Sequence, residues 1–164
     1  MVIVPEEGIE TAERVFAAFL SAGKTLATAE SCTGGLLAAT LTTLPGVSDV
    51  YLGGVIVYSD SAKQRLLGVS PELIAAKGAV CKEVAAQLAT SVRERLSADV
   101  GVGITGIAGP SGGSEEKPVG LVYAGFTDGN IHLVREYHFE GKRERIQQFT
   151  VDAVLAELFE FVEV

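Results

Sequence analysis

The sequence has no tryptophan, one methionine, two cysteines and two histidines, and each shortage removes a class of function. Cys32 and Cys81 cannot build a disulfide framework, and two thiols are too few for a structural zinc site. They read as reduced thiols. His132 and His138 fall with Val134 and Glu136 on the more polar parity of one strand. A serine–histidine or cysteine–histidine site is therefore disfavoured, and His, Asp and Glu show no metal-ligand spacing. No metal and no cofactor is expected. Positive charge is also scarce: 13 Lys and Arg stand against 21 Asp and Glu, a net charge of −8. Such a field repels phosphodiester backbones and anionic lipid, so neither nucleic acid nor a membrane is the expected partner, although one pocket can still be basic. No apolar run reaches the roughly 18 residues of a membrane span. The start, MVIVPEEGIE, lacks the basic and apolar regions of a signal peptide, and a cytoplasmic location is expected.

What is present fits one domain over residues 1–164, because 48% hydrophobic residues can fill a single core. There is no repeat, low-complexity tract or linker. Ile9, Ala12, Val15, Phe16, Phe19 and Leu20 keep helical spacing over residues 6–22, between Pro5 as a start signal and Gly23 as a stop. A short apolar strand over 25–29 turns through Glu30-Ser31-Cys32-Thr33-Gly34-Gly35 into a helix. A β-rich stretch over 53–58 precedes Ser59 and Asp60, which cap a short helix over 61–67. Ser70-Pro71-Glu72 opens another helical turn, and a longer helix is predicted over 82–96. A buried strand over 100–105 carries Gly101 and Gly103 and leads into a glycine-rich loop over 106–114. Two strands, over 119–127 and 131–139, flank the turn Asp128-Gly129-Asn130, and a helix over 143–161 ends the pattern. The predicted fold is an α/β, three-layer α/β/α sandwich around a mixed, mostly parallel sheet with a C-terminal antiparallel hairpin.

Two places can carry chemistry. A strand ending at a helix entrance presents free backbone N–H groups and the positive end of the helix dipole, a setting suited to an oxyanion. Ser31 sits there, and Cys32 beside it would be favoured as a thiolate by the same dipole. A capping role for Ser31 or Thr33 fits the spacing equally. Lys63 falls in the first turn of the predicted helix over 61–67, where the dipole lowers the pKa of a lysine, the more so if it is partly desolvated. A neutral amine can take a proton from serine, and Ser–Lys pairs are a known variant of the serine nucleophile scheme. A solvated surface lysine fits the spacing as well. Tyr58, just upstream, could orient the lysine or relay a proton, or simply fill core. The glycine-rich loop matches neither nucleotide fingerprint. Its exposed N–H groups, with Thr105, Ser111, Ser114 and Lys117, suit a phosphate or ribose.

Taken together, Ala29-Glu30-Ser31-Cys32-Thr33-Gly34-Gly35, Tyr58-Ser59-Asp60-Ser61-Ala62-Lys63 with Leu66-Leu67-Gly68-Val69, and Gly103-Ile104-Thr105-Gly106-Ile107-Ala108-Gly109-Pro110 resemble the CinA C-terminal domain family. Its stand-alone members include nicotinamide-nucleotide amidohydrolases. The resemblance implies hydrolysis of the carboxamide of nicotinamide mononucleotide to nicotinate mononucleotide and ammonia. It implies Ser31 as nucleophile, Lys63 as base and Tyr58 as the assisting group. Thr33, Gly34, Gly35, Thr105, Gly106, Gly109, Gly112, Gly113 and Arg143 are implied as substrate-binding residues. A pyridine nucleotide is then the small-molecule partner, and a homo-oligomer is expected. Two departures stand out: Ser111 replaces a glycine common in the family loop, and Gln147 replaces a frequent arginine. Many relatives also carry a further, N-terminal domain. The readings carried forward are the amidohydrolase, a non-catalytic nucleotide-binding module, and an amidase that uses Cys32.

Overall fold

The computed structural model describes residues 6–163, so the Pro5 start signal lies outside the described residues. The elements are α1 (Glu6–Ala22), β1 (Leu26–Glu30), α2 (Leu36–Leu41), a 3-10 turn at Val47–Asp49, β2 (Tyr51–Ile56), α3 (Asp60–Leu67), α4 (Pro71–Lys77), α5 (Lys82–Leu96), β3 (Val100–Gly106), β4 (Leu121–Thr127), β5 (His132–His138) and α6 (Arg143–Glu163). The five strands form one sheet in the order β2-β1-β3-β4-β5. β1 pairs parallel with β2 and β3, whereas β3–β4 and β4–β5 are antiparallel. Four strands therefore point one way and β4 alone runs against them. The β4–β5 turn is held by Asp128 Oδ1, which accepts from the N–H groups of Asn130 and Ile131.

Strand parity divides the core into two layers. Leu26, Val102, Ile104, Val122 and Phe126 face α1, α2 and α6, where Val15, Phe19, Leu37, Val154 and Leu158 are buried with them. The alternate residues Ala27 and Ala29 are buried on the other side with Val57, just after β2, Leu67 of α3, and Val84, Leu88 and Val92 of α5. The apolar stripe expected along α1 holds at Ala12, Val15 and Phe19, but Leu20 is half exposed.

The Val-Gly-Val-Gly-Ile pattern of β3 is a packing device. Val100, Val102 and Ile104 fill the first layer, while Gly101 and Gly103 let α5 approach the sheet closely. A Cβ at Gly103 would lie 2.5 Å from the Ala85 carbonyl and the Ala89 N–H, both helix backbone. Gly125, the cross-strand partner of Gly103, meets the same Ala85 carbonyl. Gly103→Ala is expected to lower unfolding stability by about 1–3 kcal/mol, since neither backbone can give way. Urea denaturation against the parent protein measures it, and an unchanged midpoint would contradict this account of the glycines. α5 thus pins β1 and β3 side by side, with their C-terminal ends at one edge of the sheet, where open parallel sheets place their sites.

Candidate active site

Ser31 follows the last residue of β1 and is tied to the sheet by its N–H, which donates to the Ile104 carbonyl at 3.1 Å. The chain then reverses through Ser31–Gly34, closed by Gly34 N–H to the Ser31 carbonyl. Gly34 and Gly35 take positive φ values of 61° and 97°, which glycine adopts without strain. Because the residue capping α2 is Gly35, it has no side chain to offer the first helical N–H groups. Glu30 supplies the acceptor instead. Its carboxylate, 1% exposed, accepts from Thr33 Oγ1 at 2.6 Å, from the Gly35 and Leu37 N–H groups at 3.1 Å, and from the Ala38 N–H at 2.8 Å. Burying an unpaired carboxylate costs several kcal/mol, and hydrogen bonds to a charged group return about 1.5–3 kcal/mol each.

This arrangement overturns one expectation. The start of α2 does not offer an oxyanion site, because Glu30 already occupies its N–H groups. Thr33 donates to Glu30, and with Gly34 and Gly35 it lines a separate cavity beside Gln147. Cys32 is not a dipole-activated thiolate either. Burial, aided by the Glu30 charge, pushes its thiol up to about 12.

Lys63 reaches Ser31 from α3. Ser59 caps that helix by accepting the Ala62 N–H at 3.0 Å, which fixes the first turn and aims the lysine inward. Its Nζ lies 2.9 Å from Ser31 Oγ and 3.4 Å from the Tyr58 carbonyl. Lysine and serine are 2% and 6% exposed. Burial holds the Lys63 pKa below its ordinary value, against the opposing pull of Asp60 and Cys32. Lost hydration, the second of the two causes expected from the sequence, is the main one.

Tyr58 is neither core nor a side-chain partner of Lys63. The ring is 57% exposed, and its hydroxyl accepts from Arg143 Nη2, while Arg143 Nη1 donates to the Gly109 carbonyl at 2.8 Å. Ser31, Cys32, Tyr58, Gly106, Gly109, Ser111, Gly112 and Arg143 surround one cavity of about 230 Å³. The first residue of α6 thus brings a cation to the glycine-rich loop. Gln147, one turn further on, donates to the Cys32 carbonyl at 2.8 Å and so ties α6 to the Ser31–Gly34 turn.

Other expected binding residues do structural work. Thr105 donates to the Ala79 carbonyl, joining β3 to the segment before α5. Gly113 packs on the Val119 backbone, Ser114 Oγ accepts the Lys117 N–H, and Lys117 Nζ donates to the Lys77 carbonyl. His132 bonds Thr127, and His138 pairs with Glu136 on the exposed edge strand, away from the cavity. A larger cavity, about 610 Å³, lies between α1 and α6, but its lining, with Arg14, Ser21 and Glu163 as polar members, pairs no nucleophile with a base. Among the described residues, no three His, Cys, Asp or Glu cluster as a metal site would require, and no helix is long and apolar enough to cross a membrane. The sequence reading missed the roles of Glu30 and Gln147. The glycine at the capping position, preceded by a lone acid, was the available signal for the first.

Comparison with known proteins bears on the whole assembly. The chain is 54% identical over 148 residues to a protein of Moorella thermoacetica whose name places it with the competence-damage inducible proteins. It is 49% identical over 147 residues to a CinA-like protein of Acidobacterium capsulatum. Each alignment covers 89% of this chain and 36% of the relative, so the chain spans about a third of these relatives' length. Among solved structures, the competence/damage inducible protein CihA of Agrobacterium tumefaciens superposes with a TM-score of 0.92 at 40% identity, covering 96% of this chain and 97% of that one. A CinA superfamily protein of Escherichia coli superposes with a TM-score of 0.91 at 32% identity, covering 98% and 94%. The family model for the CinA C-terminal domain matches residues 9–162, a span that includes the Ser31 turn, Lys63 and the Arg143 cavity. The chain belongs to the CinA C-terminal domain family.

Proposed function

We propose that this domain is a serine amidohydrolase that cleaves the carboxamide of nicotinamide mononucleotide to nicotinate mononucleotide and ammonia. The observation that carries the reading is the Ser31–Lys63 pair: a hydroxyl and a buried amine of lowered pKa, 2.9 Å apart, beside a cavity that ends in a cation. In its neutral form Lys63 accepts the Ser31 proton as Oγ attacks the carboxamide carbon. The C–N bond then breaks, and the same proton passes from Lys63 to the departing nitrogen, leaving an acyl-enzyme and ammonia. Water, deprotonated by Lys63, adds to the ester, and Ser31 leaves with that proton to restore the pair. The Tyr58 carbonyl keeps Nζ aimed at Ser31 throughout. Arg143 and the Ala108–Gly112 backbone are suited to the phosphate, because a guanidinium and backbone N–H groups are what that anion needs.

The substrate's identity rests on the family resemblance. Ammonia release by the purified protein, with and without nicotinamide mononucleotide, tests it directly. The second reading, a nucleotide-binding module without turnover, is motivated by Ser111 and Gln147 at positions where the family pattern differs. Saturable binding without ammonia would favour it. Arg143→Ala is expected to raise KM for the mononucleotide by about 10- to 100-fold, the worth of one lost charged hydrogen bond. The riboside, which lacks the phosphate, should be little affected. Equal losses for both compounds would remove Arg143 from phosphate recognition.

A further inference from the structure

Two buried groups are left over by this mechanism, a carboxylate at Glu30 and a thiol at Cys32, and they flank the nucleophile on either side. Hydrolysis by Ser31 uses neither. Yet Glu30 has the most densely bonded side chain of the site, with four donors converging on it from residues 33, 35, 37 and 38. The segment between, Ser31–Gly34, is wrapped around that carboxylate.

We propose that Glu30 is a positioning residue that assigns the nucleophile: by gathering the turn and the start of α2 onto its carboxylate, it presents Ser31, and not Cys32, to Lys63. This inference rests on the amidohydrolase reading. The geometry gives three reasons. Strand parity sends the Glu30 side chain toward α2, so the next residue, Ser31, points to the opposite layer, where α3 delivers Lys63. The Thr33 hydroxyl and Gly35 N–H fix the far end of the turn, and Gln147 holds the Cys32 carbonyl, so a rotation that exchanged serine for cysteine would break bonds at both places. Finally, the Glu30 charge disfavours the neighbouring thiolate, against the Lys63 and Arg143 cations, which favour it. The turn thus has two potential nucleophiles, and the carboxylate favours the first by position and restrains the second by charge.

The test is Glu30→Gln, which keeps the shape but turns an amide N–H toward a donor that needs an acceptor. Its kcat on nicotinamide mononucleotide is expected to fall by about 100-fold with KM within a few-fold, the usual effect of a small misplacement of reacting atoms. Alkylation of Cys32 by iodoacetamide, followed by peptide mass spectrometry, is expected to rise severalfold, because the charge that disfavours the thiolate is gone while its burial stays. Cys81, buried in the other layer, is the internal reference. General loosening would raise labelling at both cysteines, whereas the proposed role raises it at Cys32 alone. If Glu30→Gln does not fold, Thr33→Val removes one of the four donors and should show the same pattern at smaller size. A folded variant with near-parental kcat and unchanged Cys32 labelling overturns the proposal, and so does equal labelling of both cysteines. The thiol measurement needs no substrate. A parent protein that releases no ammonia would sink the amidohydrolase reading and leave labelling to decide on Glu30.

Discussion

Ser31→Ala is expected to abolish ammonia release, by about 10⁴-fold or more in kcat, while Cys32→Ser keeps most of the parental rate. The first magnitude is what loss of a covalent nucleophile costs when its base has nothing left to activate. The second follows from the thiol's surroundings. Cys32 is buried, its pKa is pushed up to about 12, and its carbonyl, not its sulfur, is the group the site uses, as the acceptor for Gln147. A thiol so placed is held in its protonated form, and the hydrogen bond of Lys63 goes to Ser31. Replacing it with a hydroxyl of similar shape removes no step. Steady-state ammonia assays on the two variants separate the readings, since an active Ser31→Ala with an inactive Cys32→Ser would make this a cysteine amidase.

How far the sequence alone carries this site depends on the range of each contact. Local signals were legible. The periodicity of α1 and α5 located both helices, Ser59 was recognised as a cap, and Asp128-Gly129-Asn130 as a hairpin turn, because each is decided by a few neighbouring residues. The alternation in β3 marked a buried strand, but the reason for its glycines needed α5 on top of them. Ser31 and Lys63 could be nominated separately, yet they are 32 positions apart and nothing local shows that they meet. Arg143 and Tyr58 join across 85 positions. The glycine-rich loop misled in a different way. Thr105, Ser114 and Lys117 are polar and lie next to it, so a ligand role was inferred, but each binds a nearby backbone group. Most side-chain hydrogen bonds go to backbone groups or water, so a polar residue beside a loop is weak evidence of a ligand. Glu30 escaped notice because capping rules look for a side chain at the cap or three residues beyond it. Here the acceptor comes from five residues before the capping glycine, through a turn whose shape the sequence does not spell out.

Lys63→Arg is expected to leave almost no activity although the positive charge is kept, because a guanidinium does not give up its proton near neutral pH. For the parent protein, kcat/KM is expected to rise with pH along a limb set by Lys63 in the free enzyme. The sign follows from burial. Desolvation disfavours the charged ammonium, so the folded-state pKa lies below the ordinary 10.5 and the neutral, proton-accepting form is reached at lower pH than for a free lysine. The same shift makes Lys63 a burden on the fold. The unfolded chain binds its proton more tightly, so below the folded-state pKa the lysine opposes folding, and this opposition fades as pH rises toward 10.5. Lys63→Met, of similar length and without charge, should therefore fold, lose turnover, and show a higher Tm than the parent at neutral pH, with the difference shrinking toward alkaline pH. It also serves as the control for Lys63→Arg, whose larger head group has little room in a site where lysine is 2% exposed. Rate–pH profiles and thermal melts over the same range decide the matter. If Lys63→Arg kept most of the activity, the lysine would be only a fixed positive charge near the reacting oxygen, and the base would have to be sought first at Tyr58.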